Sequence, residues 1–482
     1  MKKLLLFVTL VTALVPIHSL AQDTTRPPNV VFLLIDDMGW PDVGCYGHAW
    51  HETPNIDRLA AEGMKFTDFY AASPVCSSTR ASIQSGQYSA RVGITDFIPG
   101  HWRPFEKMVV PPIENELPMN IQTVGDALKS AGYTTGYFGK WHLGNAKDFL
   151  PDKRGYDVVD WNLPEDFERQ RGNQSPGPKQ MDVLTDRTID FIERHQEAPF
   201  FVTLSHHAVH IRLEANQKTI KKYRSKPKPA SGVNNPVYAA MIEDLDTQIG
   251  RILKRIHELE LDDNTVVVFA SDNGGLRQIY TGAGEIVSTN APLRDEKGTI
   301  YEGGIRVPLI VKWPDKVAAG SVCREPTTTA DLLPTLAEIA GVAFSDQPID
   351  GKSLLSLING NAETLNRDAI YFHYPHYHHS RPAGAIRSGK WKLIEWFDTR
   401  TVELYDLDSD ISESSDLADE YPHIAAKLQA QLSGWRDGVG ARMPTVNPKY
   451  DPTRAHEWWN RSTNKPLDIE AMRKRYEQAA KN

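Results

Sequence analysis

A chain of 482 residues with 40% apolar side chains can bury a large core divided into about two domains. Its formal charge of −8 argues against a nucleic-acid-binding protein, whose footprint is a basic surface, although an acidic sum is compatible with a local basic pocket. Only Cys45, Cys76 and Cys323 are present, which excludes a disulfide framework and leaves one pairing, Cys45 with Cys323, open.

Residues 1–21 carry Lys2 and Lys3, an apolar run from Leu4 to about Val15, and Ser19-Leu20-Ala21, with small residues at both specificity positions of a cleavage site. This pattern predicts a secretory signal removed before Gln22, which takes the formal charge from −8 to −10 by loss of the two lysines. The run is too short to span a bilayer, which needs about 20 apolar residues, and no later stretch reaches that length. The mature protein is therefore expected to be soluble, without a membrane span, and exported to a periplasm or secreted.

The next elements alternate in type. Asn29 to Ile35 (NVVFLLI) is a continuous apolar, β-branched run after Pro27-Pro28, the pattern of a strand buried on both faces, and it stops at Asp36-Asp37. Pro74-Val75-Cys76-Ser77-Ser78-Thr79-Arg80 places one cysteine and one arginine just before a helix-like run that starts near Thr79. Tyr133 to Phe138 leads into Gly139-Lys140-Trp141-His142, Phe200 to Leu204 into Ser205-His206-His207-Ala208-Val209-His210, and Thr265 to Ala270 into Ser271-Asp272-Asn273-Gly274-Gly275. Helical patterns at Ile56–Glu62, Thr123–Ala131, Val183–Arg194 and Pro236–Glu260 fall between these strands, as in an α/β sheet. Ligands of such sheets sit beyond the carboxyl ends of the strands, so four strands ending in ionisable residues point at one place.

Asp36, Asp37, Asp272 and Asn273 offer only oxygen atoms, and three crowded carboxylates repel one another unless a cation lies between them. Oxygen donors favour calcium or magnesium over zinc. Asp and Asn also cap loops at strand ends, and an unpaired cysteine is more often a small buried hydrophobe than a reactive group.

The segment from Cys76 to Gly86 resembles the sulfatase signature, Cys-x-Pro-x-Arg followed by Thr-Gly, with Ser78 in place of the usual proline and Ser85 in place of threonine. The resemblance runs from about Pro28 to about Ala418 and implies an alkaline-phosphatase-like α/β sandwich: a large, mostly parallel mixed sheet between helices, plus a smaller C-terminal unit with an antiparallel sheet and a helix. It implies that Cys76 is oxidised to formylglycine (3-oxoalanine) by a formylglycine-generating maturation enzyme. It also implies one calcium ion, preferred to magnesium, held by Asp36, Asp37, Asp272, Asn273 and the converted residue 76. A hydroxyl of the hydrated aldehyde would displace the alcohol from sulfur, and the sulfated intermediate would collapse to sulfate and aldehyde. Gly139-Lys140-Trp141-His142-Leu143-Gly144 matches a family block in which the lysine contacts sulfate and the histidine assists the formylglycine hydroxyl. By the same correspondence His210 protonates the leaving alcohol, with His206 and His207 as competitors, Lys297 grips sulfate, and Arg80 holds the modified residue and the metal ligands. A usual proline after the histidine is replaced here by Ile211-Arg212.

In the C-terminal part, Lys390–Ile394 and Glu403–Leu407 look like strands of the small antiparallel sheet, and Ile424 to Trp435 like a helix packed on it. The expected division is a signal peptide at 1–21, a catalytic domain at 22–365 and a smaller subdomain at 366–482. Tyr371 to His379 concentrates histidine and tyrosine, which suits sugar rings but equally a metal-binding tract or an irregular surface loop, and His376 is the candidate substrate contact in it. His101-Trp102-Arg103 is a weaker case of the same kind, and the basic stretch Lys218–Pro229 is expected to be a solvated loop.

The sequence thus predicts an exported sulfatase, hydrolysing an O-sulfate ester on a carbohydrate or polysaccharide fragment. One alternative is a formylglycine-dependent phosphodiesterase or phosphonate monoester hydrolase. Another is a non-catalytic protein that binds sulfated glycans with Cys76 unmodified.

Overall fold

The computed structural model of the chain describes residues 26–161, 178–278, 286–343, 347–472 and 474; the secretory signal expected at 1–21 lies outside them. The main sheet is built from β1 (Asn29–Ile35), β2 (Met64–Phe66), β3 (Thr134–Gly139), β4 (Val158–Asp160), β5 (Phe200–Ser205), β6 (Thr265–Ser271), β7 (Leu309–Lys312) and β8 (Ser321–Cys323). Their spatial order is β8-β2-β7-β6-β1-β5-β3-β4. Every pairing is parallel except the two made by β7.

Alternation along β1 explains why the strand is apolar throughout. Val30, Phe32 and Leu34 enter one core with helices Cys76–Ser85, Val124–Ser130 and Leu332–Ile339. Val31, Leu33 and Ile35 enter the opposite core with helices Pro54–Glu62, Met181–His195 and Pro236–Glu258. Each such side chain stabilises the sandwich by about 1.5–3 kcal/mol relative to exposure. The 23-residue helix Pro236–Glu258 starts where Pro236 tolerates a missing N–H and the Asn235 side chain accepts from the amides of Val237 and Tyr238.

Strands Ile370–Tyr374, Ala383–Ser388, Trp391–Trp396 and Thr401–Asp406 form an antiparallel meander. Ile386, Leu393 and Leu404 pack under Leu428 and Leu432 of helix Pro422–Val439. Phe372, Tyr374, Ala385 and Ile394 face Tyr70, Val75, Ile300 and Ile305 of the part built on the main sheet. Beyond the helix the chain turns back. Thr445–Val446 pairs with Met108–Val109, and Trp459–Asn460 pairs with His101–Trp102. Residues after the helix therefore lie against the part built on the main sheet, although they follow the small sheet in sequence.

All three cysteines are free thiols. The basic stretch from Lys218 is helical from Gln217 to Ser225 rather than a loop, with Lys222 paired to Glu243 at 2.7 Å and Lys226 to Glu52 at 2.7 Å. No described helix is long and apolar enough to cross a membrane.

Candidate active site

The neighbouring strands β6, β1, β5 and β3 are parallel, so their carboxyl ends fall on one edge and deliver Asp272-Asn273, Asp36-Asp37, His206 to His210, and Lys140 to the same region. Gly139 permits this convergence. Its φ is +100°, and a Cβ there would meet the Ser205 carbonyl oxygen at 2.0 Å, so no other residue lets the chain turn into Lys140 so close to β5. Asp37 and His142 hold left-handed backbones with φ of 61° and 58°, a conformation that costs about 1–3 kcal/mol at a residue other than glycine and clusters at functional sites.

Cys76 is the first residue of helix Cys76–Ser85, one turn earlier than the expected start at Thr79. The Thr79 amide donates to the Val75 carbonyl and its hydroxyl to the Ser73 carbonyl, which winds the turn ahead of Thr79 into the helix. Cys76 Sγ lies 3.3 Å from His142 Nδ1, and His142 Nε2 is 2.7 Å from the Ile98 carbonyl. A carbonyl only accepts, so Nε2 carries the proton and Nδ1 is free to accept one from residue 76. Burial, reinforced by the Lys140 ammonium, holds His142 well below its ordinary pKa. Burial also pushes the Cys76 thiol up, so the unmodified side chain is not a thiolate nucleophile.

Around this residue three cations meet three carboxylates. Lys140 Nζ donates to both Asp36 oxygens at 2.9 and 2.7 Å, and Lys297 Nζ to both Asp37 oxygens at 2.6 and 2.8 Å. Arg80 Nε donates to Asp272 at 2.8 Å, while its Nη1 donates to the Lys140 carbonyl at 2.8 Å and the Ser205 hydroxyl at 2.6 Å. The guanidinium thereby ties the ends of β6, β3 and β5 to one another. Although burial pushes Asp36 up, Lys140, His210 and Arg80 hold it well below the usual carboxylate range. Burial wins at Asp272, which rises to about 6 despite Arg80.

Ligand atoms of Asp36, Cys76 and Asp272 lie within 4.8 Å of one another. Asn273 donates to Asp37 Oδ1 at 2.8 Å, and its own side-chain oxygen is buried without a hydrogen-bond donor. A close set of charged oxygens with one orphaned amide oxygen fits a hard divalent cation.

His210 Nε2 is 3.6 Å from Asp37, and its Nδ1 is 2.6 Å from the Ile211 carbonyl. Burial, together with the nearby Lys297, lowers His210 to about 4. The expected acid is therefore neutral at pH 7 in the free protein. His207 shares the cavity and is lowered to about 4, chiefly by burial, whereas His206 is fully buried outside the cavity wall.

Asp36, Cys76, Lys140, His142, His207, His210 and Lys297 line a cavity of about 620 Å³. His376 is not among its walls: the ring is 0% exposed, with Nε2 2.8 Å from the Thr95 hydroxyl and Nδ1 3.4 Å from Arg461. The expectation of a substrate contact at His376 is therefore corrected: its ring is turned away from the cavity, whereas His378 and His379 line it. Gly298, with φ of +83°, lets His378 approach Lys297, since a Cβ there would lie 2.2 Å from His378 Nδ1. Trp161, Lys179, Trp458 and Met472 also border the cavity and were not anticipated. The Trp458-Trp459 pair in an otherwise polar tail was the one signal that pointed to any of them.

Residues 28–342 match the Sulfatase family, and residues 295–437 match the family described as N-sulphoglucosamine sulphohydrolase, C-terminal. A sulfatase of Formosa agariphila is 30% identical over 90% of this chain and 93% of its own length. The N-acetylgalactosamine-6-sulfatase of Homo sapiens is 33% identical over 73% of this chain and 69% of its own. Among solved structures, Ps i-CgsB in complex with k-i-k-neocarrahexaose superposes with a TM-score of 0.72 at 25% identity, covering 95% of this chain and 100% of that one.

Proposed function

This chain belongs to the sulfatase family and is a sulfuric ester hydrolase with the alkaline-phosphatase-like fold, and we propose that it is an exported enzyme that removes O-sulfate from a carbohydrate and releases inorganic sulfate. The observation that carries the reading is residue 76 at a helix N-terminus, 3.3 Å from the accepting nitrogen of His142 and in one cavity with Lys140 and Lys297. The carbohydrate part is supported by the aromatic and histidine walls of that cavity, and by relatives named for N-acetylgalactosamine 6-sulfate and bound to a neocarrahexaose. Export rests on the pattern of residues 1–21.

Conversion of Cys76 to formylglycine by a maturation enzyme supplies, in the hydrated aldehyde, the attacking hydroxyl that a protonated thiol cannot offer. Asp36, Asp37, Asp272 and Asn273 would hold calcium, which supplies positive charge for the sulfuryl oxygens. Lys140 and Lys297 are fixed by their carboxylate partners at the cavity edge, where their charge stabilises the same oxygens without reorganisation. His142 Nδ1 accepts the proton of residue 76. His210 faces the leaving alcohol, and an anionic sulfate beside it raises its affinity for a proton, so the acid is loaded when substrate binds.

Mass spectrometry of the peptide carrying residue 76 is expected to show a loss of about 18 Da, the exchange of thiol for aldehyde. Sulfated sugars and aryl sulfates should be hydrolysed faster than aryl phosphodiesters, and chelation should abolish turnover that calcium restores better than magnesium. An active enzyme with an intact Cys76, or a large preference for phosphodiesters, overturns the reading.

A further inference from the structure

One wall of the cavity includes Trp458, a residue beyond both family matches, which end at residues 342 and 437. The returning tail brings Trp458 beside Phe97, His101 and His378. Edge-to-face contacts frame the set: Phe97 to His101 at 5.1 Å, Phe97 to His378 at 5.6 Å, His101 to Trp458 at 6.4 Å and His378 to Trp458 at 6.5 Å between ring centres. The Arg103 guanidinium lies over the indole, 4.6 Å from its centre. The backbone is fixed on both sides, since the Trp458 carbonyl accepts from Leu467 at 2.7 Å and Trp459 is in register with Trp102.

Of the charged groups of the cavity, Asp36 and Lys140 stand at the carboxyl ends of β1 and β3, and Lys297 and Lys179 on connections between elements, whereas this wall is aromatic and only half-buried at Trp458. A cavity of about 620 Å³ falls within the ~300–1,000 Å³ that accommodates drug-sized ligands, more than a single pyranose needs. A rigid indole with a polar rim suits the apolar C–H face of a sugar ring.

On the carbohydrate reading above, we propose that Trp458 is a specificity-determining platform that stacks the sugar ring next to the sulfated one, so that the preferred substrate is a sulfated oligosaccharide of at least two rings. Trp458 does not touch the reacting atoms. It sets which alcohol is carried into the sulfate pocket.

The test uses the full-length enzyme with galactose and glucosamine sulfates, carrageenan- and heparin-type oligosaccharides, an aryl sulfate, and inorganic sulfate as inhibitor. The wild type should show a lower KM for an oligosaccharide than for the matching monosaccharide. Trp458→Ala should raise the oligosaccharide KM about five- to tenfold with kcat nearly unchanged. The monosaccharide KM and the inhibition constant of sulfate should stay within about twofold, because Trp458 meets His378 rather than Lys140 or Lys297. Trp458→Phe should recover most of the loss. Trp459→Ala, which disturbs the tail at a residue outside the cavity wall, should leave the KM ratio as in the wild type.

Equal losses on monosaccharide and oligosaccharide, the same KM change in Trp459→Ala, or no wild-type preference for the longer substrate each overturn the platform. Hydrolysis of aryl sulfate with no activity on any sulfated sugar overturns the carbohydrate reading itself, and the platform with it.

Discussion

Two clusters in this molecule contain the same charges and do different things. At the sheet edge Arg80, Lys140 and Lys297 meet Asp36, Asp37 and Asp272. At the junction with the small sheet Lys392, Arg306 and Arg387 meet Glu302, Glu413 and Asp68. Lys392 Nζ lies 2.9 Å from Glu302 and 2.8 Å from Glu413, and Arg306 and Arg387 lie 2.9 and 2.7 Å from Asp68. Both sets are taken out of water, and both balance three against three. The junction set is closed: Lys392 and Glu302 are 0% exposed and border no described cavity. The edge set opens onto the 620 Å³ cavity through Asp36, Lys140 and Lys297, beside an amide oxygen that no donor satisfies. Burial of charge therefore does not distinguish a site from a joint. Access to a cavity does.

The sharpest test of that contrast is to remove residue 76 chemistry while leaving the fold. Cys76→Ala is expected to lower kcat at least about a thousandfold, and His210→Ala about a hundredfold or more. Neither should change unfolding free energy by more than about 1 kcal/mol, read by denaturant titration. The opposite outcome is expected at the junction. Lys392→Met leaves Glu302 and Glu413 without their shared ammonium, so stability should fall by about 3–5 kcal/mol while kcat per folded molecule stays near the wild-type value. A Lys392→Met enzyme that is stable but inactive would erase the distinction between the clusters.

A smaller effect comes from pH. Burial raises Glu413 from its ordinary 4.5 to about 7, against the pull of Lys392. Glu302 is held at about 2, since Lys392, Arg306 and Arg387 outweigh the burial that pushes it up. The raised group keeps a proton in the folded state that the unfolded chain gives up, so Glu413 makes stability decline as pH rises from about 4.5 to about 7. Glu302 acts in the other direction: its contribution is complete above about 4.5 and is lost as pH falls toward about 2. Glu413→Gln should flatten the decline between about 4.5 and about 7, and an unchanged slope there would assign that decline to other groups.

The elements legible in the sequence are those whose physics is local and repeated. Asn29 to Ile35 is a strand over its whole expected length because all seven residues are buried between two helical layers, so no polar position blurs its limits. The helix beginning at Pro236 carries its start signal in the proline and in Asn235. The convergence of Asp36, Lys140, His210 and Asp272 follows from parallel neighbours that all stop at ionisable residues. What escaped was set by contacts distant in sequence. His376 sits two residues before the cavity-facing pair His378-His379, and its partners Thr95, Arg461, Asp96 and Tyr374, distant from it or unreadable as partners in the sequence, turn it inward. Trp458 belongs to a tail without helical or strand periodicity, and its position is fixed by ladders two residues long. The early start of the Cys76 helix depends on the Thr79 bonds back to Ser73 and Val75, which no propensity scale contains.

Those short ladders have a mechanical consequence. Local opening in a folded protein begins where few bonds must break together, and the return strand is held by two-residue ladders at 101–102 and 108–109 together with the side chains of Asn447, which donates to the Pro104 and Glu106 carbonyls, and Arg461, which donates to Asp96. The floor holding the charges is stitched through registers of five to seven residues at the middle of eight strands. Any local opening is therefore expected first in this outer strap, with the strands that carry the reacting groups still paired below it.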